Sequence, residues 1–168
     1  MVGSFLPYFG PMKIWLWSVG GKHDAKLAAA IDEYTQRISH YYGCEWRLMP
    51  GPKNAAHLAP EELREQESRL LLDSFDPVDY LVLLDERGKM IGSPELANLL
   101  ETRALNGAKR VHFVIGGAFG VNDAVRKRAD MVWQLSKLVF PHQLVRLILA
   151  EQVYRACTIV RGEKYHHV

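Results

Sequence analysis

The sequence predicts an α/β layer fold built on a mostly parallel sheet flanked by helices. Three observations carry that prediction. Strand-length apolar runs and helix-length amphipathic segments alternate from residue 13 to residue 162, with no linker, repeat or low-complexity stretch between them. The run DYLVLLD (79–85) has too many consecutive apolar residues for a strand with one wet face, which places it inside a parallel sheet. The run RVHFVIGG (110–117) ends in a glycine pair directly ahead of a helix start, so a backbone turn without side chains closes that strand. With 168 residues, 48% of them hydrophobic, the chain is long enough for one domain with its own core.

Taken in order, KIWLWSV (13–19) has the short, apolar, aromatic composition of a strand. Leu27, Ile31, Tyr34 and Ile38 then recur at three- and four-residue steps, marking an amphipathic helix within 22–42. EWRLMP (45–50) is a second strand, closed by the turn-forming PGPKN (50–54). Pro60 opens an acidic helix, PEELREQESRLLLDS, whose first-turn glutamates suit the helix dipole. After the third strand (79–85), Ser93 is expected as an N-cap and Pro94 as the first helical residue of a helix to about Leu105. The fourth strand (110–117) leads through the glycine loop into a short helix, NDAVRKRA. MVWQLS (131–136) reads as a fifth strand, and HQLVRLILAEQVYRACTIVRG (142–162) as one long helix ended by Gly162. Residues 1–11 are set apart as a leader or disordered extension, because Pro7, Gly10 and Pro11 break any regular element there; residues 12–168 form the expected single domain.

Several function classes fall away. No apolar run is long enough to span a bilayer, and Met1 to Pro11 has neither the early positive charge nor the cleavage site of a signal peptide. Cys44 and Cys157 have no metal-type spacing, which points to buried thiols, no metal and a reducing, cytoplasmic setting. The net charge of +2 hides an asymmetry, with −4 over residues 1–105 and +6 over 106–168, where four of the seven histidines also lie. Such a basic third suits either a polyanion-facing surface or a solvated face.

The glycine loop FVIGGAFGVND (113–123) is neither of the familiar phosphate loops. A dinucleotide fingerprint needs G-x-G-x-x-G after the first strand and an acid about 20 residues on, and a P-loop needs G-K-[ST]; Gly116, Gly117 and Gly120 fit neither. In α/β folds ligands collect at the carboxyl ends of strands. Three loops fall there: LLDERGKMIGSP, IGGAFGVND and LSKLVFPHQ. The third is apolar where an exposed loop should be polar, so its walls suit an adenine ring or another flat ligand. A tight strand-to-helix turn with no ligand is the competing reading of the glycine pair.

The glycine loop, followed by SKLVFPHQLVRLILAEQVYRACTIVRGEKYHH (136–167) and preceded by LDERGKMIGSPELA (84–97), resembles the RlmH family of the SPOUT methyltransferases. The ordered set is specific: IGG-x-x-G, W-x-L-S, PH-x-L-x-R, Y-R-A and a terminal YH. Membership implies a small cytoplasmic enzyme that uses S-adenosyl-L-methionine to methylate N3 of a pseudouridine in bacterial large-subunit (23S) ribosomal RNA. It further implies a C-terminal trefoil knot and a homodimer. Carried over by position, the cofactor contacts are Leu84, Gly117 and the run Ser136, Lys137, Leu138, Val139, Phe140 and Pro141. Phe119 departs from relatives that read GPEG where this chain reads GAFG.

Because N3 of pseudouridine is largely protonated at neutral pH, its methylation calls for a base or for a stabiliser of the developing anion. Candidates are His166, first as proton acceptor, with His142, Arg146 and Tyr165, the last as a base-stacking ring. His142 as a simple helix cap and Glu151–Arg155 as a structural pair are the competing readings. One subunit offers little surface for folded RNA, so a composite site is expected, with one subunit's tail facing the other's cofactor pocket. The alternatives are a non-enzymatic ribosome-associated RNA-binding factor and a knotted methyltransferase acting on another RNA.

Overall fold

The first strand, β1 (Lys13–Val19), follows directly on Met12, whose side chain is already core. The computed structural model describes residues 10–167, so of the expected extension only Gly10 and Pro11 lie within the described residues. The order continues through α1 (Ala25–Ile38), β2 (Gly43–Met49), a 3-10 turn at Ala55–His57, α2 (Pro60–Asp73) and β3 (Tyr80–Lys89). It closes with α3 (Ser93–Leu105), β4 (Arg110–Ile115), α4 (Asp123–Arg128), β5 (Met131–Trp133) and α5 (His142–Arg161). All five strands pair in parallel, in the order β2-β1-β4-β3-β5. The predicted α/β layer architecture is the observed one.

Alternation along the strands sorts the core into two layers. Val111, Phe113 and Ile115 of β4 and Val82 of β3 face α1, α3 and α5, packing with Ile38, Leu96, Leu100, Leu149 and Val153. Val114, Leu81 and Leu83 point the other way, against Leu71 of α2 and Val125 of α4. Each of these strand residues but Ile115 is fully buried, so the two central strands have no wet face.

The observed ends differ from the expected ones for local reasons. The first helix begins at Ala25 because the Asp24 carboxylate accepts from Lys26 N at 2.8 Å. The third strand continues past Asp85 to Lys89 across a register break, with Leu84 and Lys89 both opposite Trp133. The fifth strand stops at Trp133, since Gln134 N donates to Lys89 O at 2.9 Å and the chain then leaves the sheet. Ser93 is inside α3, and Gly92 is the N-cap. Glu95 accepts from Gly92 N at 3.1 Å, and the Ser93 hydroxyl donates to Gln152 on α5 at 2.7 Å. The fourth strand ends at Ile115, releasing Gly116 and Gly117 into the loop, and Gly162 closes α5 at φ +74°. Cys44 and Cys157 are buried and free, and no described helix is long and apolar enough to cross a membrane.

Candidate functional site

The carboxyl ends of β3, β4 and β5 open into a cleft of about 660 Å³, a size that suits a cofactor-scale ligand. Its walls come from the three loops that the strand order brings together: Leu84–Glu86, Ile115–Val121 and Trp133–Ser136 with Leu138–Phe140, closed by His142 and Val145 of α5. Of the residues singled out in the sequence, Leu84, Gly117, Ser136, Leu138, Val139, Phe140 and His142 line it. Lys137 and Pro141 belong to the third loop but are not among the lining residues.

That loop is held open by its own chemistry. Ser136 Oγ accepts from Leu138 N at 3.0 Å, turning the backbone so that Leu138 and Val139 stand 72% and 93% exposed. Phe119 faces the same cleft half exposed. Apolar side chains in this state lose contact with water once a flat ligand is inserted, at roughly 25 cal/mol per Å² buried. Against the cleft, Trp133 carries a buried indole N–H with no acceptor among the described residues, a vacancy that a ligand acceptor can fill.

The glycine turn has two different reasons for its glycines. Gly120 sits at φ +75°, where a side chain is strained. Gly117 has an ordinary φ, but a Cβ there would come within 2.8 Å of Glu67 Oε1 and closer still to Oε2. Glu67 projects from α2 and is 6% exposed; burial pushes its carboxyl above the usual carboxylate range, and no ion pair or hydrogen bond of the side chain is found among the described residues. Its neighbours brace the same loop, as Ser68 Oγ accepts from Asn122 N at 2.9 Å and Glu65 from Asn122 Nδ2 at 3.1 Å. Gly88, near the end of β3, lies against backbone, and a Cβ there would sit 2.5 Å from Val132 C and O. The sequence reading passed over both Glu67 and Gly88. An acidic helix offers no signal that one glutamate turns inward, and a glycine among charged residues looks like an ordinary turn.

His142 is the first residue of α5, and Pro141, the N-cap, has no side-chain capping bond. Its ring spans outward, with Nε2 2.8 Å from Gly116 O and 3.5 Å from Ser18 Oγ. A carbonyl only accepts, so Nε2 carries the proton; burial above all, with Arg146 nearby, lowers the pKa and keeps the ring neutral. Asp85 at the cleft mouth is held by Arg126 at 3.6 Å and accepts from Arg87 N at 2.8 Å.

The remaining candidates lie elsewhere. Arg146 is fully buried, one turn beyond His142, donating to Ser18 Oγ and Gly21 O, each at 3.0 Å. Tyr165 and His166 cluster on the far half of α5: Tyr165 OH donates to Glu151 at 3.1 Å, and His166 Nδ1 is 3.3 Å from Arg155 Nη1. Arg155 stacks 4.8 Å from the Tyr165 ring centre and bonds Glu151, so that expected pair exists and is part of a larger group. From His142 to Arg155 the helix rises about 20 Å, at roughly 1.5 Å per residue. Glu151, which the Tyr165 hydroxyl meets, stands about 9 Å up the helix from Val145, so the tail cluster is set off from the cleft along α5.

Comparison with known proteins agrees with this architecture. The family model described as Predicted SPOUT methyltransferase matches residues 12–166. The ribosomal RNA large subunit methyltransferase H of Cytophaga hutchinsonii is 43% identical over 156 residues, covering 93% of this chain and 100% of that protein. The protein of the same name from Parabacteroides distasonis is 42% identical over 156 residues, covering 93% and 99%. A crystal structure of a probable methyltransferase from Bordetella pertussis shares the fold at 15% identity, with a TM-score of 0.53 over 89% of this chain and 96% of that one. A match over nearly the whole chain, on a parallel sheet whose strand-end loops build one cleft, shows that the protein belongs to the SPOUT methyltransferase family.

Proposed function

We propose that this protein uses S-adenosylmethionine to methylate N3 of a pseudouridine in large-subunit ribosomal RNA, acting as a homodimer on the ribosome in the cytoplasm. The observation that carries the reading is the end-to-end match to relatives named as large-subunit ribosomal RNA methyltransferases, at 43% identity for the Cytophaga protein. The cleft fits the cofactor by its own chemistry. Its apolar loop suits an adenine ring, its glycine turn admits close backbone approach, and the Trp133 indole is a donor in search of an acceptor. A trefoil crossing of the C-terminal segment belongs to the same reading.

Leu84, Gly117 and the loop Ser136–Pro141 hold the cofactor, with Lys137 and Pro141 contributing through backbone position. When bound, the cofactor supplies an electrophilic methyl group on a sulfonium. The chain's part is to exclude water around that methyl, hold the uracil ring in line with it and take up the N3 proton. His166 is the proton acceptor, beside Arg155, which stabilises the developing uracil anion, and Tyr165, which stacks on the base. Because about 15 Å of helix separates Arg155 from Val145, the last cleft residue of its own helix, the tail of one subunit completes the cleft of the other. His142 holds the glycine turn through Gly116 O.

The test is direct. Ribosomes from cells lacking this gene are incubated with the protein and methyl-labelled S-adenosylmethionine, and the digested RNA is read by mass spectrometry. One labelled N3-methylpseudouridine in large-subunit RNA is expected. Absence of label, or label on another nucleotide or another RNA, refutes the assignment.

A further inference from the structure

The arginines of the basic C-terminal third are mostly paired with acids of the molecule itself. Arg110 pairs with Asp76 and Asp79, Arg126 with Asp85 and Asp123, Arg128 with Asp130, Arg155 with Glu151 and Arg161 with Glu163. Arg146 is the exception among those arginines, making no ion pair among the described residues although its exposure is 0%. Its donors go to neutral acceptors alone: Nε to Ser18 Oγ at 3.0 Å, and Nη1 to Gly21 O at 3.0 Å and to His23 Nδ1 at 3.2 Å. Burial accordingly lowers its pKa with no carboxylate to offset the effect. Taking a guanidinium out of water without a counter-charge is unfavourable, and well-packed apolar residues often replace buried charges without loss of stability.

The cover over Arg146 is a short loop that contains two glycines. Residues Gly20–Asp24 follow β1 at the carboxyl edge of the sheet, beside the glycine turn of β4. Gly20 has φ +127°, and a Cβ on it would stand 3.2 Å from Arg146 Nη2; a Cβ on Gly21 would meet nothing within 4 Å. The loop is tied to α5 by the two bonds from Arg146 and two from Gln143, which accepts from Asp24 N at 2.9 Å and donates to Lys22 O at 3.3 Å. It is tied to β2 by Gly20 N, which donates to Met49 O at 2.8 Å, and by the His23 ring, 4.9 Å from that of Trp46. Gly21 and Lys22 are exposed. Of the acids nearby, Asp24 already caps α1 through Lys26 N, while Asp32 acts on His23 at a distance.

We propose that Arg146, uncovered when the Gly20–His23 loop lifts, binds a backbone phosphate of the substrate RNA. The guanidinium fork suits phosphate oxygens in a bidentate manner, and the exposed Lys22 adds charge at the rim of the same site. Arg146 is not among the residues lining the cofactor cleft, so the anion arrives from the solvent side with the RNA. The position also has a use. Through Ser18, which lies 3.5 Å from His142 Nε2, the arginine joins the ring that holds Gly116 O at 2.8 Å. A phosphate seated there is registered against the cofactor turn, which fixes how far into the cleft the target base reaches. The inference rests on the RNA-methyltransferase reading above.

The experiment measures binding of the full-length protein to unmethylated ribosomes between 50 and 200 mM KCl, for wild type, Arg146→Met and Arg146→Lys. Loss of one phosphate contact lowers the slope of log affinity against log salt by about one. Arg146→Met is expected to fold, to melt no lower than wild type, and to bind ribosomes about tenfold more weakly with that reduced slope. Arg146→Lys keeps a point charge and guards against a Met variant that does not fold; it is expected to keep the slope and lose a few-fold in affinity. A folded Met or Lys variant with wild-type affinity and slope overturns the phosphate site. Failure of the wild type itself to bind ribosomes refutes the substrate reading, and the site falls with it.

Discussion

Gly117→Ala should damage the glycine turn that lines the cleft, and a second mutation should repair it. The added methyl would lie 2.8 Å from Glu67 Oε1, 3.0 Å from Cδ and nearer still to Oε2, inside the distance that real methyl contacts reach. Gly117 has no positive φ, so the backbone itself does not object to alanine. The conflict is with one side chain, and that side chain is only 6% exposed, so it has little room to withdraw. Forcing a methyl into a packed site costs about 1–3 kcal/mol. Glu67→Ala removes the obstacle together with an unpaired buried carboxyl, so by itself it should change stability little, cavity loss and charge relief opposing each other. The double variant should then recover most of the single variant's loss, a coupling of about 1–2 kcal/mol. Urea unfolding gives the stabilities, and calorimetry with S-adenosylmethionine follows the loop. A Gly117→Ala protein as stable and as cofactor-competent as wild type would refute the argument, and so would a double variant no better than the single one.

Gly88→Ala should be worse and beyond repair of that kind, because the obstructing atoms are the backbone of Val132 and Trp133, at 2.5 and 2.6 Å; β5 must separate from β3, and loss of soluble folded protein or a fall of several kcal/mol in urea is expected. His112 accepts from Trp17 Nε1 at 2.9 Å through Nδ1, and burial lowers its pKa below 6.5 despite Asp79. The unfolded chain therefore takes up the proton first on acidification. Stability should fall as pH drops below about 6.5, by at most about 1.4 kcal/mol per unit from this residue, until the folded value is reached. Denaturation curves at several pH values should show that limb flattened in His112→Gln, and an unchanged limb would sink the assignment. His166→Ala should lower methyl-transfer turnover while cofactor affinity stays within about twofold; wild-type turnover would remove His166 from the chemistry.

The parts of the fold written in hydrophobic pattern were legible without coordinates. DYLVLLD announces a central strand because burial on both faces leaves no position for a polar residue, and Val82 and Leu83 are indeed fully buried on opposite sides. The cleft was legible too, since a parallel sheet sends successive strand-end loops to one edge. Hidden instead were features set by partners distant in sequence. Glu86, Arg87 and Gly88 extend β3 only because Lys89 finds Gln134 and Trp133. Glu67 belongs to a helix whose charged residues otherwise meet water, and nothing in its spacing marks the one that turns to Gly117. Arg146 stands four residues after His142 in the sequence, but nothing there marks that it is covered by a loop from the other end of the chain.

The separation along α5 is what turns these placements into a requirement on assembly. His142 and Val145 at its start belong to the cleft, whereas Glu151, Arg155, Tyr165 and His166 form a linked group further along. The helix rises about 9 Å from Val145 to Glu151 and about 15 Å from Val145 to Arg155, and a rigid helix does not bend to close that gap. Either the tail group plays no part in the chemistry, or a second copy supplies it. Mixed dimers decide between these. One subunit carries a cofactor-dead cleft, through substitutions in the Ser136–Pro141 loop, and its partner lacks residues 163–168. In that dimer an intact tail meets an intact cleft only across the interface, so activity near half of wild type is expected. A mixed dimer with no activity, alongside active wild-type dimers prepared the same way, would eliminate the shared site.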